Sequence, residues 1–235
     1  MTRTFRSARR YLGLTVTMST VFGCVHPSPA TPRASGRSEF ASTQNVQASY
    51  DQILLGRTLV LSHDCSGCHG GASPESLDWL AGMKTPDQAF PVGACATTPG
   101  AQPCYITRPR NLTPDNETGL GRFSERQVFN ALRYGLRPED TPDVDITSGT
   151  PGVGNFPKRP RYIAPPMPWP AWRYMSDKEL YAIAAYLKYG LKPAVNKVPE
   201  SDGPPDFWAS VYTVDLIGPY PAPAFPAASE RIPRP

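Results

Sequence analysis

The chain has 235 residues, 29 of them proline, which is about 12% against roughly 5% on average. Prolines interrupt helices and central strands alike, so the ordered elements must be short and separated by long straps. The net charge of +4 is carried by Arg3, Arg6, Arg9 and Arg10, and from position 11 onward 20 basic residues face 20 acidic ones, a balance that gives no sign of nucleic acid as a partner.

In chain order, MTRTFRSARR leads into YLGLTVTMSTVFG and Cys24. A basic start and a moderately apolar core of thirteen residues are too short to span a bilayer and suit an export signal over 1–23. VFGC resembles a bacterial lipoprotein processing site, in which Cys24 would carry lipid. Cleavage near SPA at 28–30, discarding Cys24, is the alternative. Residues 24–47 are small, polar and proline-rich and read as a flexible tether.

Three segments carry helix signals. In SYDQILLGRTLVLSH, Ser49 and Gln52 have capping-box spacing, and Ile53, Leu54, Leu59 and Val60 give an apolar side. In FSERQVFNALRYG, Ser124 and Gln127 form the box, Phe123 and Val128 the hydrophobic staple, and Gly135 suits a left-handed terminating residue. In MSDKELYAIAAYLKYG the box is Ser176 and Glu179, the staple Met175 and Leu180, and Ile183, Ala184 and Leu187 continue the apolar period. Two stretches resembling insertions, 70–110 and 137–165, lie between these segments. The domain is expected over 48–191, and the Pro-rich tail 192–235 is expected to lie extended over the surface with no helix or strand of its own. Three short helices bury too little apolar surface for a chain of this length, so a further group is expected to fill the middle.

That group is indicated by CSGCH at 65–69. Behind an export signal, C-x-x-C-H points to covalent haem c: one helical turn presents both sulfurs and the imidazole to one face of a flat macrocycle. Cys65 and Cys68 would bond the two vinyl groups and His69 would coordinate the iron. A zinc site made of Cys65, Cys68, Cys95 and Cys104 and a thioredoxin-like dithiol are the competing readings. The ten-residue stretch CATTPGAQPC is wide for a zinc knuckle, and the dithiol lacks its βαβ setting. In an oxidising compartment Cys95 and Cys104 are expected to form a disulfide.

For the sixth iron ligand, Met167 in IAPPMPWPAW stands out, because flanking prolines leave the strap little freedom to lose. A core methionine packed among aromatics is the plainer alternative. His63, two residues before Cys65, cannot easily reach across the ring and is expected to be a surface histidine.

With these motifs in place, residues 49–191 resemble a class I cytochrome c. GRTLVLSHDCSGCHG is similar to that family's first helix and haem motif, and PPMPWPAWRYMSDKELYAIAAYLK to its methionine strap and last helix. NLTPDNETGLGRFSERQVFNALRYG is similar to the monohaem cytochrome subunits of membrane-associated alcohol and sugar dehydrogenases, which carry NITPD, TGIG, then Trp or Phe and S-E-E. The resemblance implies an all-α cytochrome c fold around one covalent haem, with the first and last helices crossing at Gly56 and Tyr186 and with Asn111 and Leu112 along the haem edge. Relatives carry Pro directly before this Asn; here Arg110 intervenes after Pro109, which leaves open both the hydrogen bond that orients His69 and whether Arg110 meets a haem propionate or solvent.

The function so implied is an exported, periplasmic electron carrier, free or lipid-anchored at Cys24, and either non-catalytic by itself or the electron-transfer subunit of a dehydrogenase complex. It would take single electrons from a dehydrogenase or quinol-linked complex and pass them to a cytochrome or oxidase. His/Met ligation and burial by Leu112, Phe129, Trp169, Trp172 and Tyr186 would raise its potential. The alternative is a haem enzyme or gas-binding sensor with an open distal site.

Overall fold

The computed structural model describes residues 48–202 and 205–232; the segments expected to be an export signal and a tether, with Cys24, lie outside them. Helices α1 (Tyr50–Ser62), α3 (Glu125–Tyr134) and α5 (Asp177–Ala185) form the frame, and α5 continues into a π-helical turn, Tyr186–Gly190. Between α1 and α3 lie the one-turn helix α2 (Cys65–His69) and a hairpin of β1 (Phe90–Gly93) and β2 (Cys104–Thr107), paired antiparallel. Short helices α4 (Trp169–Trp172) and α6 (Val214–Ile217) precede and follow α5.

The capping chemistry works at α3 and α5, where both boxes are complete and Gly135 ends α3 at φ 67°. The staple residues Phe123, Val128 and Leu180 are buried, and Met175 packs on the core. At α1 only half of the expected box forms. Ser49 accepts from Gln52 N, but the Gln52 amide reaches instead to Glu125 Oε1 (3.3 Å) and Tyr181 O (3.4 Å), tying α1 to α3 and α5. Leu54, expected on the buried side, is 42% exposed, whereas Val60 is fully buried.

The crossing of α1 and α5 is the tightest contact in the frame. A Cβ on Gly56 would lie 1.8 Å from Ala182 O and 2.8 Å from Tyr186 Cβ, so only glycine lets the helices approach this closely. Around the crossing, Trp79 Nε1 donates to the Tyr186 hydroxyl (3.1 Å), Phe129 stacks on Tyr181 (4.2 Å), and Lys188 donates to the carbonyls of Leu120, Gly121 and Phe123.

Two expectations need correction. The fold is not purely helical: the first insertion contains the hairpin, and its loop is closed by a Cys95–Cys104 disulfide, which stabilises a loop this short by about 2.5 kcal/mol through restriction of the unfolded chain. The tail is not featureless, since it carries a 3-10 segment, Pro205–Ser210, and α6. It is also pinned. Buried Arg173 donates to the carbonyls of Ile217, Gly218 and Pro219, and buried Trp208 meets Tyr105 edge-on at 5.8 Å.

The second insertion closes on itself. Leu136, Ile146 and Phe156 make a small core of their own, while Leu136 bridges Tyr162 and Ile163 N donates to Gly135 O at 2.7 Å. The chain therefore leaves and re-enters the frame at one place, and the strap that follows packs Met167 against the main core. Gly135 also seats this strap, because a Cβ there would lie 2.1 Å from the Trp169 ring.

Candidate haem site

Asp64, in the left-handed region at φ 50°, turns the chain out of α1 and starts α2. One turn then carries Cys65, buried, Cys68, exposed, and His69, half-buried, with both cysteines as free thiols. Two successive glycines with positive φ, Gly70 at 84° and Gly71 at 85°, lead the chain away from this turn. It returns at once: Leu80 N donates to Gly70 O (2.9 Å) and Gly82 N to His69 O (2.7 Å).

Segment 80–83 is sandwiched on its other side by 109–112, with Leu112 N donating to Leu80 O (2.9 Å) and Met83 N to Pro109 O (3.1 Å). This brings the Arg110 carbonyl to 2.7 Å from His69 Nδ1. A carbonyl can only accept, so Nδ1 carries the proton and the lone pair of the neutral ring resides on Nε2. Burial lowers the His69 pKa and so favours the neutral ring, an effect partly offset by this bond. The tautomer and charge state are those of a metal-ligating histidine.

Arg110 standing before Asn111 does not prevent this hydrogen bond, because the acceptor is a main-chain oxygen. The Arg110 guanidinium points elsewhere, pairing with Glu200 (2.9 Å) and donating to Pro199 O (3.2 Å). The Asn111 side chain is likewise committed to the polypeptide. Its Oδ1 accepts from Thr113 N (2.9 Å) and Oγ1 (2.8 Å), and its Nδ2 donates to Thr118 Oγ1 (3.0 Å) and Ala194 O (2.7 Å), using its full capacity.

Met167 is half-buried against the same apolar cluster that contains Cys65, with Leu112, Trp172 and Met175 bordering that cluster too. Trp169, expected beside the haem, packs between Gly135, Tyr162 and Tyr212. His63 is not a free surface histidine: its Nδ1 donates to Leu59 O (2.8 Å) and its ring meets Trp172 edge-on at 5.8 Å.

The competing chemistries fit less well. With Cys95 and Cys104 joined, the four-thiolate zinc set loses half its ligands. Burial, reinforced by Asp64, pushes the Cys65 thiol up to about 11, and burial also raises Cys68. A redox dithiol needs a thiol lowered towards neutrality. For haem c the fit is good: two free thiols and an Nε2 lone pair on one turn, and a thioether bordering the same core.

Sequence reasoning passed over Trp79, Leu80 and Met83, all buried and read as part of a loop. The available signal was the apolar run WLAGM within a polar stretch.

No protein-family model matches the chain. It is 26% identical over 171 residues to the gluconate 2-dehydrogenase cytochrome c subunit of Pantoea cypripedii, covering 72% of this chain and 30% of that one. It is 24% identical over 166 residues to the cytochrome c subunit of the quinone alcohol dehydrogenase of Gluconacetobacter polyoxogenes, covering 71% and 27%. Over 152 residues it is 23% identical to the fructose dehydrogenase cytochrome subunit of Gluconobacter japonicus, covering 65% and 24%. The chain spans less than a third of the length of these curated relatives. It resembles the cytochrome c subunits of dehydrogenases over that part.

Proposed function

We propose that the chain is an exported monohaem c-type cytochrome that carries single electrons between a periplasmic dehydrogenase or quinol-linked complex and a cytochrome or oxidase. The observation that carries this reading is the His69–Arg110 hydrogen bond, which presents Nε2 as a ligand on the turn that also presents Cys65 and Cys68. When bound, haem c supplies a reversible one-electron iron couple. The polypeptide fixes His69, carries Met167 on a proline-bounded strap, and gathers Leu112, Phe129, Trp172 and Tyr186 in or against the apolar cluster that contains Cys65. A thioether held rigidly costs little reorganisation when charge changes, which suits a carrier better than a catalyst.

The test is optical. Met167→Ala is expected to abolish a sulfur-to-iron charge-transfer band present in the oxidised wild type and to let the reduced protein bind carbon monoxide. A wild type that binds carbon monoxide at once would favour the open distal site of an enzyme or sensor instead. Export and lipid attachment at Cys24 rest on the sequence of 1–24 alone, and Cys24→Ser is expected to move the protein from the membrane fraction to the soluble one.

A further inference from the structure

His69 rests on the main chain of Arg110, and behind Arg110 stands the tail. Val198 is 5% exposed, and a Cβ on Gly82 would lie 2.9 Å from its Cγ2 and 2.8 Å from both Arg110 C and Asn111 N. Gly82 N in turn donates to His69 O at 2.7 Å. The layers His69, Gly82, Arg110 and Val198 are thus stacked without spare space.

The tail grips both edges of this stack. Asn196 Nδ2 donates to Ala81 O (2.8 Å) and Met83 O (3.0 Å), one on each side of Gly82. Ala194 O accepts from Asn111 Nδ2 (2.7 Å), and Arg108 N donates to Ser201 Oγ (2.9 Å). Glu200 pairs with Arg110 and Arg137, each at 2.9 Å, but it is 67% exposed, so these ion pairs contribute little. Val198 burial and the two Asn196 bonds carry the hold.

We propose that residues 194–202 buttress the proximal histidine, with Val198 and Asn196 as positioning residues that set the direction and strength of the His69 Nδ1–H to Arg110 O bond. The inference rests on the haem reading above. A strong bond from Nδ1–H makes the imidazole a more basic ligand, which favours the ferric state; loosening the buttress weakens the bond and raises the reduction potential.

The experiment uses the full chain carrying haem. Val198→Ala changes no charge, and Asn196→Ala removes the two carbonyl contacts without opening the apolar layer, so it serves if Val198→Ala does not fold. Each is expected to raise the midpoint potential by an amount equal to a severalfold change in the ferric-to-ferrous ratio. The His69 Nδ1–H proton is expected to exchange faster by NMR, with the methionine charge-transfer band retained. A lower melting temperature with unmoved potential and exchange would show packing alone and overturn the proposal. Wild-type protein that retains no haem would overturn the underlying reading, and that is seen before any variant is measured.

Discussion

Gly56→Ala is expected to destabilise the fold by about 4 kcal/mol or more, at the severe end for a single substitution. The added Cβ would meet backbone, Ala182 O at 1.8 Å and Ala182 C at 2.5 Å, so no side-chain rotation relieves it. Relief requires α1 and α5 to separate, which strips packing from Val60, Leu180, Ile183 and Tyr186, all in the main core. Alanine is the better helix former by about 1 kcal/mol, and the clash outweighs that gain several times. In a chain of this size the loss corresponds to a fall in Tm of about 10 °C, measurable by circular dichroism. A variant as stable as the wild type would show that the helices do not cross at this glycine.

Cys65→Ser combined with Cys68→Ser is expected to abolish retention of haem through acid-acetone extraction, leaving a colourless polypeptide. The double change leaves only axial contacts, which extraction breaks, whereas thioether bonds survive it. The stability should fall with the colour, since the three helices bury a small core by themselves and any group that binds only the folded state adds to folding stability. A dithiol reading predicts instead that the wild type shows no such colour and that the double variant loses only a titratable disulfide.

How much of this was visible in the sequence depends on whether the cause was local. The boxes at Ser124 and Ser176, the terminating Gly135, the Gly56 and Tyr186 crossing and the Cys95–Cys104 bridge could be read from spacing or resemblance. Each depends on residues of fixed chemistry at short range, or on a pattern shared with a family. The hairpin was missed because Pro91 removes a ladder donor and Gly93 a side chain, leaving strands of four residues with little strand character. Gln52 was misassigned because its partner Glu125 lies 73 residues away. The hydrogen bond from His69 to the Arg110 carbonyl was indicated only by the resemblance, which left it open, because a main-chain acceptor depends on how 80–83 and 109–112 lie together. Asn196 and Val198 are single residues in a polar, proline-bearing run with no period. What they do depends on the loop they cover.

The most direct measurement is the visible spectrum of the exported wild-type protein, oxidised and reduced, recorded before and after acid-acetone extraction. Sharp c-type bands on reduction and haem that stays with the polypeptide at one equivalent per chain are the predicted result. A protein without a haem spectrum under haem-competent export, or one whose haem is fully extracted, would contradict the assignment of Cys65, Cys68 and His69.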